Sequence, residues 1–544
     1  MRGNLIDMAE QQMAAVAVTR REQFTGLTVF VVALLLGAWL RFDRIGIKPF
    51  HHDEGVNSYF LLNLAHHGQY AYNPENYHGP TLYYLALGAL SLLGETDLAL
   101  RFWPAAFGVM SIGLLWWLRR ELGTMGLAAA AMLIAFSPGL VYFSRDFIHE
   151  MSFGFFSLAI VAAVWRYSAT KSFASLAAAA AAAGMLFATK ETAVITIIVL
   201  GLAALCAGAW DISRRLLRAR GLSVIAVIRE LLRDLRGLLP GRDHLIAALA
   251  IFIVINVLFY SSFFTNMKGV LDAYNSVVLW SRRSGTEHVH VFGYYFGILS
   301  KLELPLVIGA LIGCPFILWR GSRFGLFVLA WSAGIFLAYS LIPYKTPWLL
   351  VNLLIPLGLT SGYAAGEIYR VLPPISPRLL WALVCLLAFI LSWQMAWRVN
   401  FEFYDDNDNR TGYLTRLGSR LEWRAYTDTQ YGYVYAQTDR ELLQLVRAVD
   451  DAVGRLPTRE KTGIYVASPA YWPLPWYLRR YDGVAYTGDL PDAVTRPEGV
   501  TQPLMIANIT QQAAVEKMQG WRAATSPIAL RPGEKLILYV RAQE

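Results

Sequence analysis

Residues 24–42, FTGLTVFVVALLLGAWLRF, form an apolar run long enough to cross a bilayer, and His51-His52-Asp53-Glu54 follows it almost at once. Two adjacent carboxylates at a membrane edge are costly unless they are paired or do chemistry. The rest of the chain extends the membrane reading. With 544 residues, 56% of them hydrophobic and only 16% charged, and a mean hydropathy of +0.40, the sequence does not describe a water-soluble globule. It describes a polytopic α-helical membrane protein. The first apolar run leads into Arg41-Phe42-Asp43 rather than a small-residue cleavage site, so it is expected to stay as a helix.

Further runs of spanning length fall near 97–118, 124–143, 147–165, 172–189, 191–210, 245–264, 303–319, 324–342, 347–369 and 379–397. Together with the first they predict about eleven crossings. Residues 81–94 are short for a span and carry Tyr83 and Tyr84 near their start, which suits an interfacial helix in a first outer loop, 43–96. That choice puts Arg119-Arg120, Arg166 and Lys171, the basic stretch 214–242, Arg320 and Arg323, and Arg370 and Arg378 on one face, expected to be cytoplasmic together with the N-terminus. The loop 265–302 then lies outside. Residues 211–244 alternate apolar side chains with arginine as an amphipathic helix on anionic lipid would. The net charge of +9 is thereby accounted for without nucleic acid, which is excluded as a partner. The three cysteines, Cys206, Cys314 and Cys385, all sit inside apolar runs and supply no disulfide or zinc framework.

From residue 398 the composition turns polar, most strongly over 402–410, and no later run could span. A small extracytoplasmic α/β domain is expected over 398–544, after a transmembrane domain over 1–397. Residues 439–453 have helical periodicity, and 463–467, 503–507 and 535–540 read as strands. The segment Tyr471-Trp472-Pro473-Leu474-Pro475-Trp476-Tyr477 is read as packing or interface anchoring, with covering of a substrate groove as the alternative. The sequons at Asn409 and Asn508 are chance matches of a common pattern.

The polar residues left at membrane depth gather at one end of the expected spans. Asp53 and Glu54, His78, Arg145-Asp146, His149-Glu150, Lys190-Glu191 and Tyr344-Lys345 all fall in outer loops or at outer helix ends. Singly, Arg145 with Asp146 or Lys190 with Glu191 could be plain interfacial ion pairs. Together they can line a cavity. A carboxylate there can take the proton of an acceptor hydroxyl, while Lys345, Lys190 or Arg145 can neutralise a lipid phosphate leaving group. The chemistry that uses both is sugar transfer from a polyprenyl-phosphate donor.

At this point the sequence resembles a family. An acidic pair after the first helix (Asp53-Glu54), the segment His78-Gly79-Pro80-Thr81-Leu82-Tyr83-Tyr84, Ala-Leu-Arg-Phe-Trp-Pro at 99–104 and Ser144-Arg145-Asp146 resemble the GT-C membrane glycosyltransferases, in their protein O-mannosyltransferase and aminoarabinose transferase branch. His51 to Gly55, Ala188-Thr189-Lys190-Glu191-Thr192, Tyr344-Lys345-Thr346-Pro347-Trp348 and Trp472-Pro473-Leu474-Pro475-Trp476-Tyr477-Leu478 are similar to a prokaryotic family named as flippase-activity-associated proteins of archaeal-type glycosylation. The resemblance implies a GT-C fold, inverting transfer, Asp53 as general base with Glu54 as its helper, and Asp146 as a second acidic position. It implies no required cofactor. A divalent metal on His51, His52, His78 or His149 together with a carboxylate, His52 and His149 foremost, is the lesser alternative, since the strict Asp-x-Asp of oligosaccharyltransferases is absent from this loop. The partners implied are a polyprenyl-phosphate sugar, membrane lipid and an acceptor protein, lipid or glycan, in a cell membrane. The family name also raises a flippase or accessory role without transfer, although no internal repeat of the transporter kind is visible. A sugar-binding scaffold would tolerate the loss of Asp53.

Overall fold

The computed structural model describes residues 19–68, 70–76, 78–218, 223–283, 285–286, 288–402, 432–491 and 499–542. The polar stretch from residue 403 to 410, with its sequon at Asn409, lies outside them. The chain divides into two compact units: Met1–Asp43, Tyr70–Arg145 and His149–Asn400 form one, and Arg44–Gln69, Asp146–Ile148 and Phe401–Glu544 form the other.

The first unit is the membrane unit. Among the described residues, eight helical stretches are long and apolar enough to cross: Arg20–Phe42, Asp97–Phe136, Glu150–Thr170, Ala193–Leu217, Arg242–Tyr260, Arg323–Leu341, Pro347–Val371 and Ser376–Glu402. A ninth is formed if Tyr294–Leu302 and Leu304–Arg320, bent by 105° at Glu303, make one span. These eight or nine stretches compare with eleven expected runs. The 40-residue stretch Asp97–Phe136 holds two of those runs, divided at Gly123, which leaves helical geometry with φ 66 and ψ 167. The Ala-rich run yields only Phe173–Phe187, a helix of 15 residues that is short for a span. Thr81–Leu93 is likewise a short apolar helix, as its 13 residues suggest.

The most buried of these stretches, Pro347–Val371, packs through small residues. A methyl at Gly362 would lie 2.4 Å from the Ala130 methyl, and one at Gly366 would lie 2.5 Å from the Gly126 nitrogen. Gly362 and Gly366 thus face Gly126 and Ala130 at a four-residue spacing on both helices. Without a hydrophobic drive between helices in lipid, such close backbone approach supplies the packing. The basic stretch divides: Ala193–Arg218 carries its helix on past residue 211, and Val224–Leu238 is a separate amphipathic helix with no buried residue.

The second unit holds a sheet of six strands: β1 (Gly463–Val466), β2 (Gly483–Tyr486), β3 (Leu504–Asn508), β4 (Trp521–Ala523), β5 (Ile528–Arg531) and β6 (Glu534–Arg541). The order is β2-β1-β3-β6-β4, with β5 also paired to β6. β1 runs parallel to β2 and β3, and β6 is antiparallel to β3, β4 and β5. Alternation sorts the two faces. Ile464, Val466, Leu504, Ile506, Leu536 and Leu538 pack against Leu442, Leu445, Val449 and Val453, one stripe of the helix Leu442–Gly454. Tyr465, Met505, Ala507, Ile537 and Tyr539 form a second core. The strands and helix expected from the sequence are present. To them the fold adds the helix His52–His67, which carries the acidic pair.

Candidate active site

The Asp53 helix begins at residue 52, where His51 is the N-cap in extended geometry. Glu54 is at the third helical position and reaches back over that cap. Its Oε2 accepts from the His51 backbone N–H at 3.2 Å and lies 3.1 Å from His51 Nδ1, and its Oε1 accepts from the Phe147 N–H at 2.7 Å. Asn57, one turn on, donates to the Phe147 carbonyl at 2.9 Å, and Asp146 is ion-paired with Lys48. The turn and the segment Asp146–Ile148 are therefore locked together by groups that are nearly all buried. Burial opposes a charge on His51, but the Glu54 hydrogen bond and charge, with Asp146 and Asp53 beyond, hold its imidazole above the ordinary value.

Asp53 is the exception in this turn. It is half-buried, and among the described residues none hydrogen-bonds or ion-pairs with its carboxylate. His52 and Tyr435 feel its charge. Desolvation dominates both: it lowers the His52 imidazole, helped by Arg531 and His51, and raises the Tyr435 phenol to about 12.

The Trp/Pro-rich segment holds the same turn from the other side. Phe50 stacks on Trp476 with centroids 5.1 Å apart and planes 6° from parallel, Arg479 lies 3.7 Å over the Trp476 ring, and the Phe50 N–H donates to the Tyr477 hydroxyl at 2.9 Å. Gly55 directly follows the acidic pair, and a methyl there would lie 2.7 Å from Pro473 Cβ and 3.2 Å from the Trp472 ring. Only a glycine admits so close an approach. The packing reading of Trp476 and Tyr477 is thus correct, whereas Tyr471 and Trp472 remain half-buried.

In the membrane unit the other sequence-derived residues meet in pairs. The segment around Gly79 is hydrogen-bonded to the turn at 188–189: Gly79 N–H to Thr189 O at 3.0 Å, Thr81 N–H to Ala188 O at 3.3 Å, and Thr81 Oγ1 to Thr189 Oγ1 at 2.8 Å. A methyl at Gly79 would lie 2.1 Å from the Ala188 oxygen. This joint brings His78 Nδ1 to 3.3 Å from Glu191 Oε2 and His149 Nε2 to 3.1 Å from the Gly79 carbonyl. Lys190 Nζ donates to Glu150 Oε1 at 2.6 Å. Lys345 Nζ donates to the carbonyls of Ile342 at 2.5 Å and His290 at 3.2 Å, and desolvation lowers its ammonium from the ordinary value. Tyr344 packs edge-on against His288, at 5.2 Å.

Two sequence-derived roles are redirected by this geometry. Arg145 was expected at the donor phosphate, but its guanidinium caps the end of Arg20–Phe42, donating to the carbonyls of Leu40 at 2.9 Å and Asp43 at 2.7 Å. Those carbonyls have no intrahelical donor, so a buried arginine satisfies them. Glu54, expected to assist the base, commits both oxygens to the chain. Lys48, Asn57 and the backbone of Phe147 were not anticipated; Lys48 was legible as the nearest cation before Asp53, while the Phe147 N–H left no mark in the sequence.

The fold has solved counterparts. ArnT from Cupriavidus metallidurans bound to undecaprenyl phosphate superposes with a TM-score of 0.59 at 15% identity, covering 94% of this chain and 97% of that one. The archaeal oligosaccharyltransferase AglB from Archaeoglobus fulgidus, in complex with an inhibitory peptide and a dolichol-phosphate, gives 0.53 at 14% identity, covering 91% of this chain and 70% of that one. The chain shares its fold with these two proteins. Within that fold, residues 77–232 match the family described as dolichyl-phosphate-mannose-protein mannosyltransferase. No curated protein sequence matches the chain.

Among the described residues there is one group of metal-capable side chains, His51, Glu54 and Asp146, with ligand atoms all within 4.8 Å of one another. Of the histidines named from sequence, His51 is in it and His52, His78 and His149 are not. The group fits a metal poorly, because the Lys48 ammonium is already on Asp146 and Glu54 is already turned to His51 and Phe147. It is a buried ion-pair network whose cations are side chains, and no step is derived through a metal.

Proposed function

We propose that the protein transfers a sugar from a polyprenyl-phosphate-linked donor to an acceptor on the extracytoplasmic face of a cell membrane, with inversion and with Asp53 as general base. The reading rests on Asp53 being the one carboxylate of its turn with no hydrogen bond or ion pair among the described residues, on a backbone that Glu54, Lys48 and Trp476 hold rigid. Asp53 takes the proton of the acceptor hydroxyl as its oxygen bonds the anomeric carbon. The bond from that carbon to the phosphate oxygen breaks, and its electron pair leaves on the polyprenyl phosphate. General-base assistance of this kind supplies about 10² to 10⁴ in rate.

Lys345 is assigned to the leaving phosphate. Its partners are carbonyls, whereas Lys190 is neutralised by Glu150 and Arg145 serves a helix end. Glu54, Asp146, His78, Glu191 and Lys190 position the backbone in this reading, and Tyr344 flanks Lys345. The match of residues 77–232 and the polyprenyl phosphates bound by ArnT and AglB support the donor class. The N-terminus is cytoplasmic and the α/β unit outside.

Reconstituted protein given a radiolabelled polyprenyl-phosphate sugar and a candidate acceptor transfers label, and Asp53→Asn abolishes transfer while donor binding persists. Undiminished transfer by that variant removes Asp53 as base. Movement of donor across liposomes without any product identifies a flippase instead.

A further inference from the structure

The first two residues of the Trp/Pro-rich segment, Tyr471 and Trp472, keep part of their surface exposed beside the acidic turn. Trp472 meets His52 at 6.2 Å and Tyr59 at 6.1 Å, both edge-on at 61° and 73°, and Tyr471 lies 5.2 Å away at 39°. Tyr59 is 47% exposed, while Trp472 and Tyr471 are half-buried. All belong to the unit that holds the sheet. His52, at the edge of this cluster, feels the charges of both Asp53 and Arg531.

We propose that Trp472, Tyr59 and Tyr471 form a subsite for a pyranose ring of the acceptor, placing a glycan hydroxyl at Asp53; the assignment rests on the transfer reading above. A pyranose presents an apolar C–H face and a rim of hydroxyls. The cluster offers matching parts: aromatic rings with partly exposed surface, and at their edge a carboxylate, an imidazole and a guanidinium to bond the rim. A lipid surface is matched less well, because an uncompensated carboxylate beside the rings is repelled by anionic headgroups. A peptide is most often read along a strand edge, and residues 471–472 lie in the loop after β1.

The test uses the full-length protein in detergent micelles and saturation-transfer NMR with methyl glycosides of mannose, glucose, galactose and N-acetylglucosamine as probes. At least one probe receives saturation on its C–H face. Tyr59→Ala, at an exposed position, weakens that binding about tenfold, Trp472→Ala abolishes it, Trp472→Phe restores part of it, and Asp53→Asn retains it. In the transfer assay the same aromatic variants raise the acceptor KM and leave the donor KM unchanged. Absence of saturation on every probe, or saturation that persists in both alanine variants, overturns the subsite. So does loss of liposome association in those variants with sugar binding intact, which makes the rings a membrane anchor. Trp472-dependent sugar binding in a protein that transfers nothing upholds the subsite and defeats the transfer reading.

Discussion

The first turn of the Asp53 helix and the charged joints of the membrane unit use the same residue types to opposite ends. At the joints, Lys190 is matched to Glu150, His78 to Glu191, and Arg145 to helix-end carbonyls. In the Asp53 turn, His51 is matched to Glu54 and Lys48 to Asp146, and among the described residues one carboxylate is left without a hydrogen bond or ion pair. Matching is what a low-dielectric environment demands of a scaffold. The unmatched group beside a matched set is therefore where chemistry is sought, and the adjacency of Asp53 and Glu54 in sequence hides this division of labour.

The sharpest way to break the comparison is to neutralise each kind of carboxylate or its partner. Asp53→Asn is expected to cut transfer by about 10² to 10⁴ with thermal unfolding unchanged; an unfolding midpoint that falls with activity makes Asp53 a scaffold residue after all. Lys190→Met strands the Glu150 carboxylate in a buried site and is expected to cost about 3 to 5 kcal/mol of stability, with Glu150→Leu in the same chain restoring most of it. Detergent-phase unfolding of the single and double variants measures this, and equal losses in both would show that the two residues are not coupled.

Lys345→Met tests the remaining cation. Removal of a charge-assisted contact to phosphate raises the donor KM about tenfold or more while the acceptor KM holds. A change in the acceptor KM alone would move Lys345 from the donor to the acceptor. The smallest effect concerns His51, whose imidazole is held above its ordinary value in the fold. Its pairing with Glu54 contributes fully below about pH 6.5 and is lost as pH rises through the raised folded value. The stability advantage of the native protein over His51→Asn should then shrink as pH rises above about 6.5 and through the raised folded value. An advantage that grows with pH means that the imidazole is neutral in the fold.

Much of the architecture was legible because its causes are local. Apolar length gives the helices, alternation gives β1, β3 and β6, and the three- and four-residue spacing of Leu442, Leu445, Val449 and Val453 gives the helix that covers them. The helices differ from the expected runs where composition alone does not set helix length, at residues 173–187, whereas the break at Gly123 separates two runs as expected. The acidic pair and the motifs at 78–84, 188–192, 344–348 and 472–478 were visible as unusual residues. What each one does was not.

That difference has a physical cause. Sequence by itself determined where charge and aromatic surface are too expensive to be accidental, since the cost of burying a charge or exposing a tryptophan is paid residue by residue. Only the tertiary structure decided which of those groups are compensated. The Phe147 N–H that holds Glu54 and the carbonyls that hold Arg145 lie about 90 to 105 residues away along the chain and are backbone atoms that every sequence possesses. Arg145 is thereby found at a helix end and Glu54 in the hydrogen bonds of the fold, while Asp53 has no bonded partner among the described residues.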